Sequence, residues 1–468
     1  MLTRISFALA AAVAACLTLI VLAASPRPAA ADRHDPNLLT VDNAAGAMRT
    51  FNARGAIDFD DLFFQDLGAN ARNCGTCHRP EEAWTITPEG IRRRFDESQG
   101  ADPIFHSSDG SNCEGAAPGT FAETRSAYSL LLSRGLIRVG LDLPADAEFA
   151  IERVDDPYEC APGSNAVSVY RRPLPSANLR FLTAVMWDGR ESLSTSTIDD
   201  DLLRQANSAT RGHAQAPADL TPSQRRQIVD FERRLLMAQS RDNLAAGLLA
   251  EGALGGPMSL RRQGFFVGIN DPVGMNPTGA AFNPRVFTLF DAWARAEISP
   301  AAPYGAARRA IFRGQEIFNT RPIVVSGVSG LNGDTFPSGV TVPASFSGSC
   351  SVCHDSPNVG NHSVKAPLNI GLDDPGIAPY LPVYTLRNHD TRERVHTTDP
   401  GRALITGRWR DIGRFKGPIL RALAARPPYF HNGSAATLEE VVEFYNKRFT
   451  MELAPQEKAD LVAFLKAL

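Results

Sequence analysis

The chain lacks the features that would commit it to nucleic acid, to a disordered tail or to the interior of a membrane. Its 48 Lys and Arg stand against 51 Asp and Glu, a formal net charge of −3. Without a basic excess there is no electrostatic footprint for nucleic acid, and no acidic run marks a solvated tail. After the N-terminal segment no apolar run is long enough to span a bilayer. Convincing strand patterns are few, so the fold is expected to be mostly α. At 468 residues the chain has room for two or three domains, each with its own core.

The N-terminus differs in composition. A short basic start, Met1 to Arg4, precedes an almost wholly apolar run from Ile5 to Ala24. Small residues follow, ending in Ala29-Ala30-Ala31. This is the pattern of a secretory signal peptide over residues 1–31, cleaved near Ala31. The competing reading is an uncleaved anchor, since the run is long enough to span. Cleavage predicts an exported, periplasmic protein with no membrane span.

Cysteine is scarce, seven in all. Cys16 leaves with the signal segment, and four others form two CxxCH sequences. Cys113 and Cys160 remain, both in Gly-, Asn- and Ser-rich loop sequence. In an exported chain such a leftover pair is expected to form a disulfide.

The two CxxCH sequences are Cys74-Gly75-Thr76-Cys77-His78 and Cys350-Ser351-Val352-Cys353-His354. Two thiols at this spacing add to the two vinyl groups of haem, and the following His ligates the iron from one side. A zinc site would want further paired Cys or His nearby, and none is there. The expectation is two covalently bound haem c groups.

Each motif follows an apolar stretch read as a helix. Asn52 to Leu67 precedes the first. Ala306 to Thr320 precedes the second, with Ile311, Phe312, Gln315 and Phe318 at helical spacing. This suggests two cytochrome c-like haem domains with long loop insertions. The N-terminal one spans 32–300 and the C-terminal one 301–468, with the boundary in the Pro/Ala-rich stretch Ile298 to Tyr304. Thr221-Pro222 opens a helix with Ile228, Phe231 and Leu235 on one face. Thr437-Leu438-Glu439-Glu440 is a capping box for a helix through about Arg448. Pro455 starts a last helix. Gly255 to Pro284 and Ser326 to Ser349 read as surface loops.

Further motifs lie between and after the haem sequences. They are Trp187-Asp188-Gly189-Arg190, then Gln205, then Phe415-Lys416-Gly417-Pro418, and Pro428-Tyr429-Phe430-His431-Asn432-Gly433. In this order they resemble the bacterial dihaem cytochrome c peroxidase and MauG family. The resemblance covers most of the chain after the signal segment and is weak across Ala214 to Ala302. It implies hydrogen peroxide reduction at the N-terminal haem, electron transfer through the C-terminal haem, and Trp187 conducting between them. The electron donor would be a small redox protein, a cytochrome c or a cupredoxin. In a MauG-like case the reductant would be an oxidisable protein substrate. A pure dihaem electron carrier and a dioxygen-using dihaem oxygenase remain as alternatives.

Peroxide chemistry needs a polar group above the open iron face to move a proton. The family places a Glu about ten residues after the position of Gln205. This chain has none there, and His213 and Gln215 are the nearest groups. A neutral His can accept and return a proton near pH 7, so His213 is the candidate distal acid/base. His106 is the one His soon after the first motif, and a solvated loop position is expected for it.

For the second haem the resemblance puts an axial ligand at Tyr445. That residue shares a helical stripe with Leu438, Val441 and Val442. Met451, a usual soft ligand of c-type haem, is the alternative. The resemblance also implies calcium, with carbonyl ligands at Arg426 and Pro428. Ser126 stands where the family has an Asn, and a hydroxyl is a poorer ligand than an amide carbonyl.

Overall fold

Where a Thr cap precedes an amphipathic run, the computed structural model has a helix. It describes residues 35–161, 163, 166–193, 195–263, 285–336, 338–354 and 367–468. The proposed signal segment, 1–31, and much of the Gly255–Pro284 stretch lie outside these residues. Thr437 Oγ1 accepts the Glu440 N–H at 3.2 Å and opens the helix Leu438–Arg448. Thr221 Oγ1 accepts the Gln224 N–H at 3.3 Å and opens Pro222–Arg234. Thr197 caps Ile198–Gly212 in the same way. In each case a side-chain oxygen satisfies an N–H that has no partner within the helix. The helices Gly305–Thr320 and Pro455–Lys466 also lie where sequence periodicity puts them.

The expectation of a mostly α fold is overturned. Helix accounts for 33% and strand for 18%, so the fold is mixed α/β. One sheet runs in the order Leu38–Asn43, Gly46–Asn52, Leu235–Asp242, Ala246–Gly247. A second runs Arg394–Thr397, Val383–Asn388, Phe149–Asp155, and two hairpin-like pairs join Ile137–Leu141 to Val167–Arg171 and Ile323–Ser326 to Ser345–Gly348. The central strand Gly46–Asn52 has six of its seven residues buried. Strands covered on both faces lose the apolar/polar alternation that identifies a strand in sequence. Their partners are also distant in sequence, Phe51 facing Leu236 for example. Leu235, expected on a helix stripe, instead begins a strand. The helix expected over Asn52 to Leu67 is reduced to one 3-10 turn, Leu62–Phe64. The stretch Ser326 to Ser349, expected as loop, carries the short strand Ser345–Gly348.

Residues 36–468 form one compact unit. One apolar core gathers Phe287, Phe290, Trp293, Phe318, Leu438, Val442, Leu461 and Phe464, and Cys350 and Cys353 pack against it. Here the helices Gly305–Thr320 and Pro455–Lys466 touch closely. A Cβ on Gly314 would sit 2.0 Å from the Asp460 carbonyl oxygen, so no larger residue fits. A second core gathers Phe63, Trp84, Ile228, Phe231 and Leu235, with Cys74 packed against it. Each CxxCH sequence therefore lies on the rim of its own core. Cys113 and Cys160 are bonded, S–S 2.02 Å, as expected.

Candidate functional site

The first CxxCH forms a single helical turn, Cys74–Cys77. Asn73 and Thr76 brace its start, and the His78 N–H donates to the Cys74 carbonyl at 2.9 Å. The second has the same shape in a 3-10 turn, Cys350–Val352, with the His354 N–H donating to the Cys350 carbonyl at 2.9 Å. One turn of backbone thus holds two thiols and an imidazole together.

Each turn opens on a cavity. The cavity at His78 holds about 1420 Å³, including its mouth, and is lined by Cys74, Cys77, His78, Gln205 and His213 among others. The cavity at His354 holds about 1610 Å³ and is lined by Cys350, Cys353, His354, Tyr445 and Met451, with mostly apolar neighbours. The donor chemistry fits a c-type haem. His78 Nδ1 lies 3.0 Å from the Trp84 carbonyl. A carbonyl only accepts, so Nδ1 carries the proton and Nε2 is left with its lone pair for iron. Burial pushes the thiols up, Cys77 to about 11 and Cys350 and Cys353 to about 12, with Cys74 raised as well. Among the described residues no group of three or more His, Cys, Asp or Glu could hold a metal ion by itself.

The two cavities share a wall. Arg172, Pro173, Leu174, Pro175, Trp187, Lys416 and Ile419 line both. Trp187 is buried, and its Nε1–H donates to the Arg172 carbonyl at 2.7 Å. Its ring meets the His431 ring edge to face at 6.0 Å, and His431 stacks on Phe415 at 3.9 Å. Asp188, the next residue, is bound by Arg171 at 2.5 Å and Arg190 at 3.1 Å. Burial alone would raise its carboxyl, but these cations hold it down at about 2.

His213 follows the last turn of Ile198–Gly212, the helix that also carries Gln205. Positions 205, 209 and 213 repeat every four residues, and all three line the His78 cavity. His213 Nδ1 lies 2.6 Å from Asp109 Oδ2. The carboxylate accepts, so Nδ1 carries the proton and Nε2 is the free acceptor. Asp109 is buried and paired on its other side with the buried Arg72. Burial works to raise the Asp109 carboxyl, but His213 and Arg72 outweigh it and hold the group below the usual carboxylate range. The side chain of His213 stays 43% exposed. Gln215 does not line the cavity, and neither does His106, whose Nδ1 lies 2.9 Å from Ser108 Oγ.

In the other cavity the Tyr445 ring meets the His354 ring edge to face, centroids 6.3 Å apart. Burial raises the phenol above its ordinary range. Met451 is buried in the same lining. Ser126, Arg426 and Pro428 are the residues expected at a calcium site. Ser126 is exposed on the short helix Phe121–Ala127, and its carbonyl accepts from Asn112 Nδ2 at 3.2 Å. The Arg426 carbonyl accepts from Arg172 Nη2 at 3.4 Å.

Several groups at or beside the cavities were not singled out from sequence. Asp109 and Arg72 lie in segments whose composition reads as turn. Glu232, on Pro222–Arg234, is buried against the His78 cavity, and burial pushes its carboxyl to about 8. Lys416 and Arg172 carried no assigned role. A charged residue flanked by Pro and Gly, or ending a β-branched strand, gives no signal of burial.

No family model matches the chain. It is 35% identical over 147 positions to the cytochrome-c peroxidase IdrP1 of Denitromonas iodatirespirans, covering 27% of this chain and 38% of that one. It is 34% identical over 125 positions to the cytochrome c551 peroxidase of Nitrosomonas europaea, covering 26% and 31%. The chain thus spans about a third of the length of these curated relatives. A solved MauG-like protein associated with microbial copper homeostasis aligns over 87% of this chain and 86% of its own, at 17% identity and a TM-score of 0.34. Over the part of its length matched by the two peroxidases, the chain is similar to bacterial cytochrome c peroxidases.

Proposed function

We propose that the chain is a periplasmic dihaem c-type peroxidase. It reduces hydrogen peroxide in the cavity of Cys74, Cys77 and His78, using electrons relayed from the haem of Cys350, Cys353 and His354. The two haem-bearing parts correspond to residues 32–300 and 301–468. A small redox protein, a cytochrome c or a cupredoxin, supplies the electrons. Among the described residues no helix is long and apolar enough to cross a membrane. The curated relatives named above are cytochrome c peroxidases, which favours this reading over a pure electron carrier.

One observation carries it: the His213–Asp109–Arg72 chain at the His78 cavity. Haem iron, when bound, supplies the site where the peroxide oxygen–oxygen bond is broken. The protein residues handle the proton. Asp109 keeps the His213 proton on Nδ1, so Nε2 can take a proton from peroxide and return it to the departing oxygen. Arg72 keeps Asp109 ionised. Gln205, two turns earlier on the same face, is placed to orient peroxide by hydrogen bonding. Among the described residues the lining of the His354 cavity shows no equivalent chain, and Tyr445 would help His354 hold the iron there.

The test is His213→Ala in the protein carrying both haems, mixed with peroxide in a stopped-flow spectrometer. General acid–base catalysis of this kind contributes roughly 10²–10⁴-fold. The variant should keep both haems and react with peroxide slower by about that factor. An unchanged rate removes His213 from the reaction. Two low-spin haems inert to peroxide in every redox state would instead make the protein a carrier.

A further inference from the structure

Most deeply buried guanidinium groups near the centre of this molecule have carboxylate partners. Arg171 is held by Asp188 at 2.5 Å and Asp399 at 2.7 Å. Arg72 is held by Asp109 and Arg308 by Glu251. This is what the cost of burying a charge requires. Among the cations that line the two cavities, Arg172, Lys416 and Arg426 depart from the rule.

Arg172 lines both cavities, and among the described residues its side chain bonds backbone carbonyls, of Arg134 at 2.8 Å, Ile86 at 2.6 Å and Arg426 at 3.4 Å. Glu82 is the nearby acid, but its carboxylate accepts the Thr87 N–H. Lys416 also lines both cavities, and its Nζ donates to the Gly417 carbonyl at 3.0 Å. Arg426 lines the His354 cavity alone and bonds the carbonyls of Arg421 and Ile419. No ion pair to a described carboxylate accompanies any of the three. Carbonyls satisfy their hydrogen bonds but leave their charge uncompensated. Burial pushes all three down, Lys416 to about 7, Arg172 to about 9 and Arg426 to about 10.

We propose that Arg172, Lys416 and Arg426 form a receptor for carboxylates carried into the cavities by the prosthetic groups, the propionates of the two haems. The inference rests on the reading of both cavities as haem sites. Each haem carries a pair of propionates at one edge, opposite the vinyl edge that the cysteines take. With the cysteines anchoring one edge, cations at the shared wall turn the carboxylate edges of both macrocycles toward Trp187. The wall is tied to that residue directly: Trp187 Nε1–H donates to the Arg172 carbonyl, and the Lys416 N–H donates to the Trp187 carbonyl at 2.8 Å. Propionates seated here neutralise the wall and orient both haems about the same tryptophan.

The test uses the full protein with both haems, counted in every variant by pyridine haemochrome absorbance. A wild-type count below two fails the haem reading itself rather than this inference. Midpoint potentials are then measured for each haem, with infrared difference spectra of the carboxyl region. Lys416→Met should lower the potential of both haems, because a cation that disfavours ferric iron is gone. It should also bring in a protonated-carboxyl band, as a propionate without its cation takes up a proton. Arg426→Leu should lower the potential of the haem at Cys350 and Cys353 only. Lys416→Arg, which keeps the charge, should leave both potentials in place and guards against a folding defect in the Met variant. Unchanged potentials in Lys416→Met and Arg426→Leu overturn the proposal. So do shifted potentials with an unaltered carboxyl region.

Discussion

Tyr445 and Met451 are the two candidate ligands for the iron of the proposed second haem, and the chemistry of each predicts a different protein. Both line the His354 cavity. Tyr445 stands on Leu438–Arg448, a capped helix with a fixed face, and no described residue bonds its hydroxyl. A buried phenol without a polar partner is costly, and coordination would remove that cost. Met451 already sits among apolar side chains, where a thioether is at home without any ligand role. The burial that raises the Tyr445 phenol would be reversed by a bound ferric iron, which stabilises the phenolate. A hard anionic ligand then favours ferric iron and lowers the potential, whereas Met raises it. Tyr445→Phe should therefore change the low-spin absorption and magnetic resonance spectra of the haem at His354 and raise its potential. Met451→Leu should leave the spectra as they are. A near-infrared charge-transfer band of His/Met type in the wild type would reverse the assignment.

At the level of elements, what could be read in the sequence was whatever has a local signal. The two attachment turns, the capped helices and the disulfide pair all carry one, because cap, spacing and compartment act within a few residues. The sheet Leu38–Asn43, Gly46–Asn52, Leu235–Asp242 does not, since its buried central strands show no alternation and pair across nearly two hundred positions. The same holds for the site. His213 was found from its place after Gln205. Asp109, which orients it, lies 104 positions away and was not. The missed sheet has a direct bearing on the iron. Thr50, in Gly46–Asn52, accepts the Trp84 Nε1–H at 2.9 Å, and the Trp84 carbonyl accepts His78 Nδ1 at 3.0 Å. Trp84 itself has a φ of 58°, in the left-handed region that a bulky residue rarely takes, so it needs such support. Thr50→Val keeps the shape but leaves a buried indole N–H without a partner, at a cost of about 1–3 kcal/mol. Denaturant unfolding should show a loss of that size. A loss near zero would mean that packing alone fixes Trp84.

Across the whole molecule, the wall between the cavities is one of the places where early and late parts of the chain are bound together, as the strand pair Val383–Asn388 and Phe149–Asp155 is another. Arg171, ending the strand Val167–Arg171, reaches Asp188 beside Trp187 and Asp399 from the later part of the chain. Arg402 Nη1 donates to the carbonyls of Asp188 and Gly189, both at 2.9 Å. The Trp-Asp-Gly turn is thereby clamped from both sides, with Gly189 at a φ of 68° and its would-be Cβ only 3.2 Å from Arg402 Nη1. A residue held this firmly moves little when its charge changes, which suits an electron relay better than a gate. Its Nε1–H faces a carbonyl, which cannot take the proton away. Trp187 would therefore pass an electron without losing that proton. Trp187→Phe keeps an aromatic of smaller size and higher oxidation potential, and removes the indole bond to the Arg172 carbonyl. In the half-reduced protein, mixed with peroxide, both haems should stay attached and the His78 haem should react at the wild-type rate. Oxidation of the haem at Cys350 and Cys353, followed at its own absorption band, should lag steeply behind. Simultaneous oxidation of the two haems at wild-type speed would mean that electrons cross the wall by another route, and Trp187 would be left with a packing role alone.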